Sequence, residues 1–286
     1  MSKGKLYICG TPIGNLKDIT LRALEILEDV DLIAAEDTRR TQKLLNYYEI
    51  ETKLTSYHEH NSTQKKKQLL AKVNEGLEIA LVSDAGMPGI SDPGYELVNF
   101  FREKDIEVFP VPGPTAMTSA LVVSGLPTDK FTFEGFLPRK KGERKKYLQE
   151  LENEERTMIF YESPKRLVKS LRDMLDVLGN REAAVCRELT KKFEEKKSGK
   201  ISDLLAYFKA KSPKGEFVIV LKGGSKGSSG VNWHDLSILE HVKLEMEAGA
   251  TKKEAIKIVA TKRGLPKSEV YQIATKIRIN KYKAGT

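Results

Sequence analysis

Ser83-Asp84-Ala85-Gly86-Met87-Pro88-Gly89-Ile90-Ser91-Asp92-Pro93-Gly94 follows directly on the apolar run Ile79-Ala80-Leu81-Val82. Four apolar residues in a row, bounded by glycine and proline, read as a short strand buried on both faces that ends in a loop. Glycine lets backbone approach a ligand or another chain closely, and proline fixes the loop that carries it. The same arrangement occurs twice more. Leu6–Cys9 runs into Gly10-Thr11-Pro12-Ile13-Gly14-Asn15-Leu16, and Glu107–Val111 runs into Pro112-Gly113-Pro114-Thr115-Ala116. One such loop is a tight turn; three at one sheet edge build a rigid cleft lined by backbone groups.

Outward from these loops, apolar runs alternate with helical periodicity. Leu32–Ala35 is a further strand, and helices fall at Leu21–Leu27, Thr38–Tyr48, Gln64–Asn74 and Tyr95–Lys104. Alternation of this kind predicts an α/β layer with a mainly parallel sheet, whose ligand sits beyond the carboxyl ends of the strands. A second α/β unit begins near Ser124, with strands at Phe131–Glu134, Thr157–Tyr161, Ala183–Cys186 and Phe217–Leu221. Its helices are expected at Lys145–Glu152, Leu167–Leu178 and Ser202–Lys209. Four segments result: 1–123, 124–222, a glycine- and serine-rich linker at 223–230, and a small helical unit at 231–286. In the last, Thr251 and Glu254 have capping-box spacing. Gly264 breaks the helix that follows, and a second helix starts at Pro266 and Ser268 and runs through Val270, Ile273 and Ile277. Ala260, Gly264 and Val270 then suit a helix-turn-helix.

The chain has 286 residues and a formal net charge of +9. From Thr251 onward ten lysines and arginines stand against Glu254 and Glu269, so the excess is concentrated in the tail, which suits a polyanionic partner. Arg139-Lys140-Lys141-Gly142-Glu143-Arg144-Lys145-Lys146 reads as a second basic segment, a loop able to follow a phosphate backbone. No apolar run approaches the roughly 20 residues of a membrane span. The N-terminus lacks the apolar stretch of a signal peptide, so a cytoplasmic protein without membrane association is expected. Cys9 and Cys186 sit in apolar runs and read as reduced core residues. There is no P-loop, no HExxH, no paired CxxC and no GxSxG; no metal is expected.

Two further stretches carry polar groups near strand ends. Ala34-Ala35-Glu36-Asp37-Thr38-Arg39-Arg40 opens a helix, where Asp37 or Thr38 serves as cap. Ser56-Tyr57-His58-Glu59-His60-Asn61 places two histidines in one loop, suited to RNA contact or proton transfer.

Seven motifs in order then carry a resemblance: GTPIGNLKDIT (Gly10–Thr20), AAEDTRRT (Ala34–Thr41), SDAGMPGISDPG (Ser83–Gly94), PVPGPTA (Pro110–Ala116), SGLPTDKFTFEGFLPRK (Ser124–Lys140), FYESPKRL (Phe160–Leu167) and CRELTKKFEE (Cys186–Glu195). The chain resembles the ribosomal RNA small subunit methyltransferase I family of the tetrapyrrole methylase superfamily from about Lys5 to Leu221. It departs from the family pattern at Lys165, at Ser198-Gly199 and at Asn61-Ser62.

The resemblance implies a class III methyltransferase fold, two α/β domains flanking a cofactor cleft, with a small C-terminal helix-turn-helix-like unit. It implies S-adenosylmethionine as cofactor, the ribose 2′-hydroxyl of a decoding-centre cytidine in bacterial 16S rRNA as acceptor, and a homodimer. By position, the cofactor residues are Gly10, Thr11 and Pro12; Asp84, Ala85, Gly86, Met87, Ile90 and Ser91; and Gly113, Pro114, Thr115 and Ala116. Tyr161, Glu162, Arg187, Glu188 and Leu189 close over it, with Gly215-Glu216 near the adenine. Glu36, Asp37 and His58 are candidates for the base that takes the hydroxyl proton, and Arg39 for a phosphate clamp. Two other functions stay open: methylation of a tetrapyrrole or corrinoid precursor, and a nucleic-acid-binding regulator that senses a small ligand.

Overall fold

The apolar runs of the first half form five parallel strands, β1 (Leu6–Cys9), β2 (Leu32–Ala35), β3 (Leu54–Ser56), β4 (Ile79–Val82) and β5 (Val108–Val111), in the order β3-β2-β4-β1-β5. Helices α1 (Leu21–Asp29), α2 (Thr38–Tyr47), α3 (Ser62–Asn74) and α4 (Tyr95–Arg102) connect them. The computed structural model describes residues 3–58, 61–92, 94–224, 236–247 and 250–275. It divides into two compact units, Met1–Gly224 and Ser225–Thr286.

The strands are apolar without alternation because helices cover both faces. Leu6, Ile8, Ile79 and Leu81 pack with Leu69 and Val73 of α3 and Leu97 and Phe101 of α4. Their neighbours Cys9, Ile33, Ala80 and Val82 point the other way, onto Ala23 and Leu27 of α1 and Leu45 of α2. β3 escapes the sequence pattern because its three half-buried residues, Leu54-Thr55-Ser56, carry no period.

Strand order matters more than strand number. From β1 the chain crosses to β2, on the far side of β4; from β4 it returns past β1 to β5. Connections leaving the adjacent strands β1 and β4 thus diverge, and a crevice opens between their carboxyl ends.

After α5 (Ala116–Val123) a second sheet is built from β6 (Phe131–Phe136), β7 (Thr157–Glu162), β8 (Glu182–Arg187), β9 (Glu195–Lys200) and β10 (Phe217–Leu221), ordered β6-β7-β10-β8-β9. Only the β6–β7 pair is parallel. Helices α6 (Lys141–Glu150), α7 (Leu167–Leu178) and α8 (Ile201–Ala210) supply apolar side chains to one face, against Met158, Phe160, Val185 and Ile219. The other face, Ile159, Ala184, Cys186, Val218 and Val220, packs on Ala120 and Leu121 of α5 and on Ile13 of the loop after β1. Helix α5 therefore joins the two halves. Its sequence AMTSALVV shows no helical stripe to a reader, since it lies between two layers. The lysine-rich edge strand β9, EKKSGK, likewise lacks the strand signal, its charges blunting an exposed edge.

One expectation is overturned. Lys141–Lys146 is not a basic loop but the start of α6, and Arg144 points inward. Its guanidinium donates to Asp173 Oδ2 of α7 at 2.8 and 2.6 Å and to the carbonyls of Pro138 and Arg139 at 3.3 and 3.1 Å. An arginine whose four hydrogen bonds go to three acceptors in the core clamps α6 to α7 and is not offered to an outside phosphate.

In the second unit α9 (Ile238–Glu247), α10 (Lys252–Arg263) and α11 (Lys267–Ala274) pack around Val242, Ile256, Val259, Ala260 and Val270. The Thr251–Glu254 capping box forms, and Gly264 ends α10 in the left-handed conformation at φ +65°. The serine-rich part of the linker, 225–230, the stretch 231–235, His60, Ile277 and the tail cations Lys276, Arg278, Lys281 and Lys283 lie outside the described residues. Among the described residues no helix is long and apolar enough to cross a membrane.

Breaking a buried ion pair leaves a charge without compensation. Asp173→Ala is expected to lower the free energy of unfolding by roughly 3–5 kcal/mol. Asp176→Ala, which removes only the outer partner of Lys145, is expected to cost less than about 1 kcal/mol. Urea unfolding of the two variants checks both.

Candidate functional site

The strand registers place the polar groups. Ala35 pairs with Val82, so Glu36 and Ser83 leave the sheet side by side, and Cys9 pairs with Val111, bringing Gly10 beside the loop of Gly113. Across the crevice, Thr11 and Gly86 exchange two backbone hydrogen bonds, 2.9 and 3.0 Å, an isolated bridge that ties the loop after β1 to the loop after β4. The Thr11 hydroxyl adds a bond to the Ser83 carbonyl at 3.1 Å. Gly10 and Gly113 touch back to back: a Cβ on Gly10 would stand 2.7 Å from Gly113 Cα and 2.7 Å from Met87 Sδ. Three loops are thereby pressed into one floor.

Above that floor lies a cavity of about 380 Å³, within the range of small-ligand sites. The first sheet contributes Glu36, Arg40, Asp84–Met87 and Ile90–Asp92; Thr115 and Ala116 come from the start of α5. The second contributes Phe136, Tyr161–Pro164, Glu188, Leu189, Lys191 and the Glu216–Val218 edge. In the second sheet, Phe217 pairs with both Glu162 and Arg187, so the ends of β7 and β8 and the start of β10 meet at one edge. Ser91 and Glu188 line the cavity with φ of +60° and +48°, conformations that cost energy for residues with a side chain.

Six carboxylates, Glu36, Asp84, Asp92, Glu162, Glu188 and Glu216, line the cavity against two cations, Arg40 and Lys191. Most are tied. The Asp84 carboxylate accepts from the backbone N–H of Asp37 at 3.1 Å, and Glu36 accepts from the N–H of Asp84 at 3.3 Å, a reciprocal clasp between the loops after β2 and β4. Arg40 lies 3.3 Å from the same Asp84. Glu188 accepts from Lys191 at 3.1 Å and from the N–H of Glu216 at 2.8 Å. Burial works to raise its carboxyl, but these bonds outweigh that and hold it below its ordinary value. Glu36 is pushed up by burial and by the neighbouring Asp84. Asp92 is pushed up to about 6, by burial first and then by the charges of Glu36 and Asp84. Burial also lifts the Cys186 thiol to about 11, so it lines the cavity as an unreactive group.

Of the residues singled out from sequence, Glu36, Asp84, Ala85, Gly86, Met87, Ile90, Ser91, Thr115, Ala116, Tyr161, Glu162, Glu188 and Leu189 meet at this cavity. Gly10, Thr11, Gly113 and their neighbours Pro12 and Pro114 do not line it; Gly10, Thr11 and Gly113 act beneath it. Arg187 turns away to the Lys214 carbonyl and Glu195. Asp37 caps α2 and holds the exposed Arg39 guanidinium at 2.8 Å; that hydrogen-bonded arginine lowers the Asp37 carboxyl to about 2. A group so acidic is a weak base. His58 lies in the loop after β3, bonded to Asn61, and does not line the cavity.

The family model for Tetrapyrrole (Corrin/Porphyrin) Methylases matches residues 5–205. The ribosomal RNA small subunit methyltransferase I of Halalkalibacterium halodurans is 50% identical over 273 residues, covering 95% of this chain and 94% of that protein. The chain belongs to the ribosomal RNA small subunit methyltransferase I family of tetrapyrrole methylases. A member of that family from Thermotoga maritima is 54% identical over 220 residues, 77% of this chain but 99% of its own length. The fold of this family member also matches that of a Thermus thermophilus uroporphyrin-III C-methyltransferase solved in complex with S-adenyl homocysteine. That match has a TM-score of 0.55 at 18% identity and covers 76% of this chain and 97% of the other.

Sequence reasoning passed over several residues of the cavity of this family member, among them Lys191, Arg40, Asp92 and Phe136. Arg40, not Arg39, reaches the cavity, because the first turn of α2 directs consecutive side chains about 100° apart. Asp92 stood in a quoted motif, but nothing in the spacing separates it from a turn aspartate. Phe136 is 53% exposed at the cavity edge against Tyr161, an aromatic that a core reading of β6 would have buried.

Two predictions follow from this geometry. Gly10→Ala is expected to destabilise by roughly 1–3 kcal/mol through the Gly113 contact. Gly142→Ala, in α6 with open space around it, is expected to stabilise by up to about 1 kcal/mol, both by urea unfolding. For Asp92, the folded value lies above the ordinary 3.8, so folding holds the proton and stability falls as pH rises from about 4 to 6. Asp92→Asn is therefore expected to raise the melting temperature at pH 7–8, equivalent to roughly 1–3 kcal/mol, with no gain at pH 4.

Proposed function

We propose that this chain transfers the methyl group of S-adenosylmethionine to the ribose 2′-hydroxyl of a decoding-centre cytidine in bacterial 16S rRNA. The observation that carries this reading is 50% identity across nearly the whole chain to a protein named for small-subunit rRNA methylation. Chemistry of the cavity supports the cofactor. Six carboxylates around a cavity of this size suit a ligand bearing a sulfonium and an ammonium, and Leu189, Phe217 and Val218 offer an apolar wall to a planar base. When bound, S-adenosylmethionine supplies an electrophilic methyl group.

The residues of the chain do the rest. Asp84–Met87, Ile90, Ser91, Thr115, Ala116, Tyr161, Glu162, Glu188 and Leu189 hold the cofactor, on a floor set by Gly10, Thr11, Pro12, Gly113 and Pro114. Arg187 latches the Gly215-Glu216 turn through Lys214. An in-line displacement depends on holding two substrates in a partly dry cleft, which the rigid loops provide. Arg39, exposed beside the cavity residue Arg40, contacts substrate phosphate. Glu36 keeps the negative field of the site in place through its bond to Asp84. The enzyme works in the cytoplasm, as a homodimer, on the small ribosomal subunit.

The helical unit beyond residue 230 serves as an RNA anchor. The Thermotoga maritima relative supports a separable role, since it matches over 220 residues that make up 99% of its length. Removing residues 231–286 is expected to leave S-adenosylmethionine affinity unchanged and to raise KM for the subunit about ten-fold.

The reading is tested by transfer of labelled methyl from S-adenosylmethionine to small subunits from cells lacking this gene, mapped by mass spectrometry. A single 2′-O-methylcytidine is expected. No incorporation into subunits or free 16S rRNA, from protein that binds the cofactor, would overturn it in favour of a porphyrin or corrin acceptor.

A further inference from the structure

We propose that Asp92 is the catalytic base, the carboxylate that takes the proton from the attacking ribose hydroxyl. The assignment rests on the methyl-transfer reading above and goes beyond it, because motif and spacing left the base among Glu36, Asp37 and His58.

The argument is first one of availability. A general base needs a free lone pair directed at substrate space. Asp84 is committed to Arg40 and the Asp37 N–H, and Glu36 to the Asp84 N–H. Glu188 and Glu216 share Lys191. Glu162 is buried against Arg166 at 3.3 Å and accepts from the N–H of Ser163 at 2.8 Å and from Ser170. Asp92 differs from all five. Among the described residues its partner is a hydroxyl, Ser83, and no cation or backbone N–H is bonded to it.

Placement is the second strand. Asp92 follows Ser91, whose left-handed backbone turns the loop into the cavity. The Cβ position of Gly135 on β6 lies 3.5 Å from Ser91 Oγ, so this turn is one of the places where the first half of the unit meets the second. Tyr161 of β7 feels the Asp92 charge from the opposite sheet. The carboxylate thus lies within reach of the charges of Glu36 and Asp84 and of Tyr161 from the second sheet, with Arg40, paired to Asp84, lining the same cavity and Phe136 at its exposed edge.

Proton affinity agrees. Burial and two neighbouring carboxylates hold Asp92 at about 6, where it is ionised at neutral pH yet binds a proton more readily than an ordinary aspartate. In the step, the hydroxyl oxygen forms the new O–C bond as the methyl C–S bond breaks. The C–S electron pair stays on sulfur, leaving a neutral thioether, and the hydroxyl proton passes to the Asp92 carboxylate. The proton leaves to water before the next turnover.

The test is single-turnover methyl transfer to small subunits between pH 5.5 and 8.5 for the wild-type chain, Asp92→Asn and Asp92→Glu, with S-adenosylmethionine affinity measured by calorimetry. For the wild type, the rate is expected to fall below about pH 6. In Asp92→Asn it falls at least about 100-fold with cofactor affinity within about three-fold, and the residual rate loses the acid limb. Asp92→Glu recovers part of the rate with a displaced acid limb. An amide variant within about three-fold of wild type, or one that keeps the acid limb, overturns the assignment. If the amide variant does not bind cofactor, Asp92→Glu decides: an unmoved acid limb overturns it. Wild-type protein that methylates neither subunits nor free 16S rRNA sinks the parent reading and this assignment together. Wild-type activity retained in Asp92→Asn sinks the base alone.

Discussion

The loops after β1 and β4 are tied by two backbone hydrogen bonds between Thr11 and Gly86, at the place where the strand order reverses. Everything at the site depends on that tie. The reversal opens a crevice that any doubly wound sheet would have. The bridge, with Gly10 against Gly113 beneath it, turns the crevice into a fixed floor. A side chain at either glycine would separate the loops, and Asp84, Thr115 and Met87 would lose their common reference. The carboxylate clasp of Glu36 and Asp84 then fixes a fourth loop, the one after β2, to the same floor.

The second sheet meets this floor through α5 and Ile13, whose apolar contacts with Ile159, Cys186 and Val218 set the height of the cavity. On its far side the buried Arg144–Asp173 pair and the bonds of Arg166 to Glu162 and the Leu137 carbonyl hold the loop between β6 and α6. That loop follows Phe136, so the segment behind the aromatic at the edge of the cavity is held by buried ion pairs. Rigidity here comes from satisfied polar groups. The site itself works against stability, since burial and the charges of Glu36 and Asp84 make the ionised Asp92 carboxylate costlier in the fold than in water.

What could be read in the sequence divides along a physical line. Strands β1, β2, β4 and β10 are uninterrupted apolar runs because two covered faces demand it, and glycine loops announce themselves by what glycine alone permits. The cofactor residues quoted from motifs mostly gather at the cavity for the same reason: local sequence fixes the loop and the loop fixes the residue. Reading fails where a side chain's role is decided by a distant partner. Arg144 looked like a surface cation until Asp173, 29 residues on, drew it inward. Asp37 looked like a base, but the cap bond and Arg39 make it a weak one. Asp92 owes its proton affinity to burial first, then to Glu36 on the loop after β2 and Asp84 on its own loop, and no spacing rule reports that. Helix α5 and strand β9 were missed because one is mostly apolar with no helical stripe and the other mostly charged.

The central claim is that one crevice, floored by the Thr11–Gly86 bridge, receives the methyl donor. A crystal structure with S-adenosylhomocysteine tests it most directly. The account predicts the ligand between the loops of Asp84–Met87 and Thr115–Ala116 on one side and Leu189 and Val218 on the other, with the Asp92 carboxylate left facing the acceptor space. Ligand bound elsewhere, or bound here with its sulfur turned away from Asp92, would contradict it.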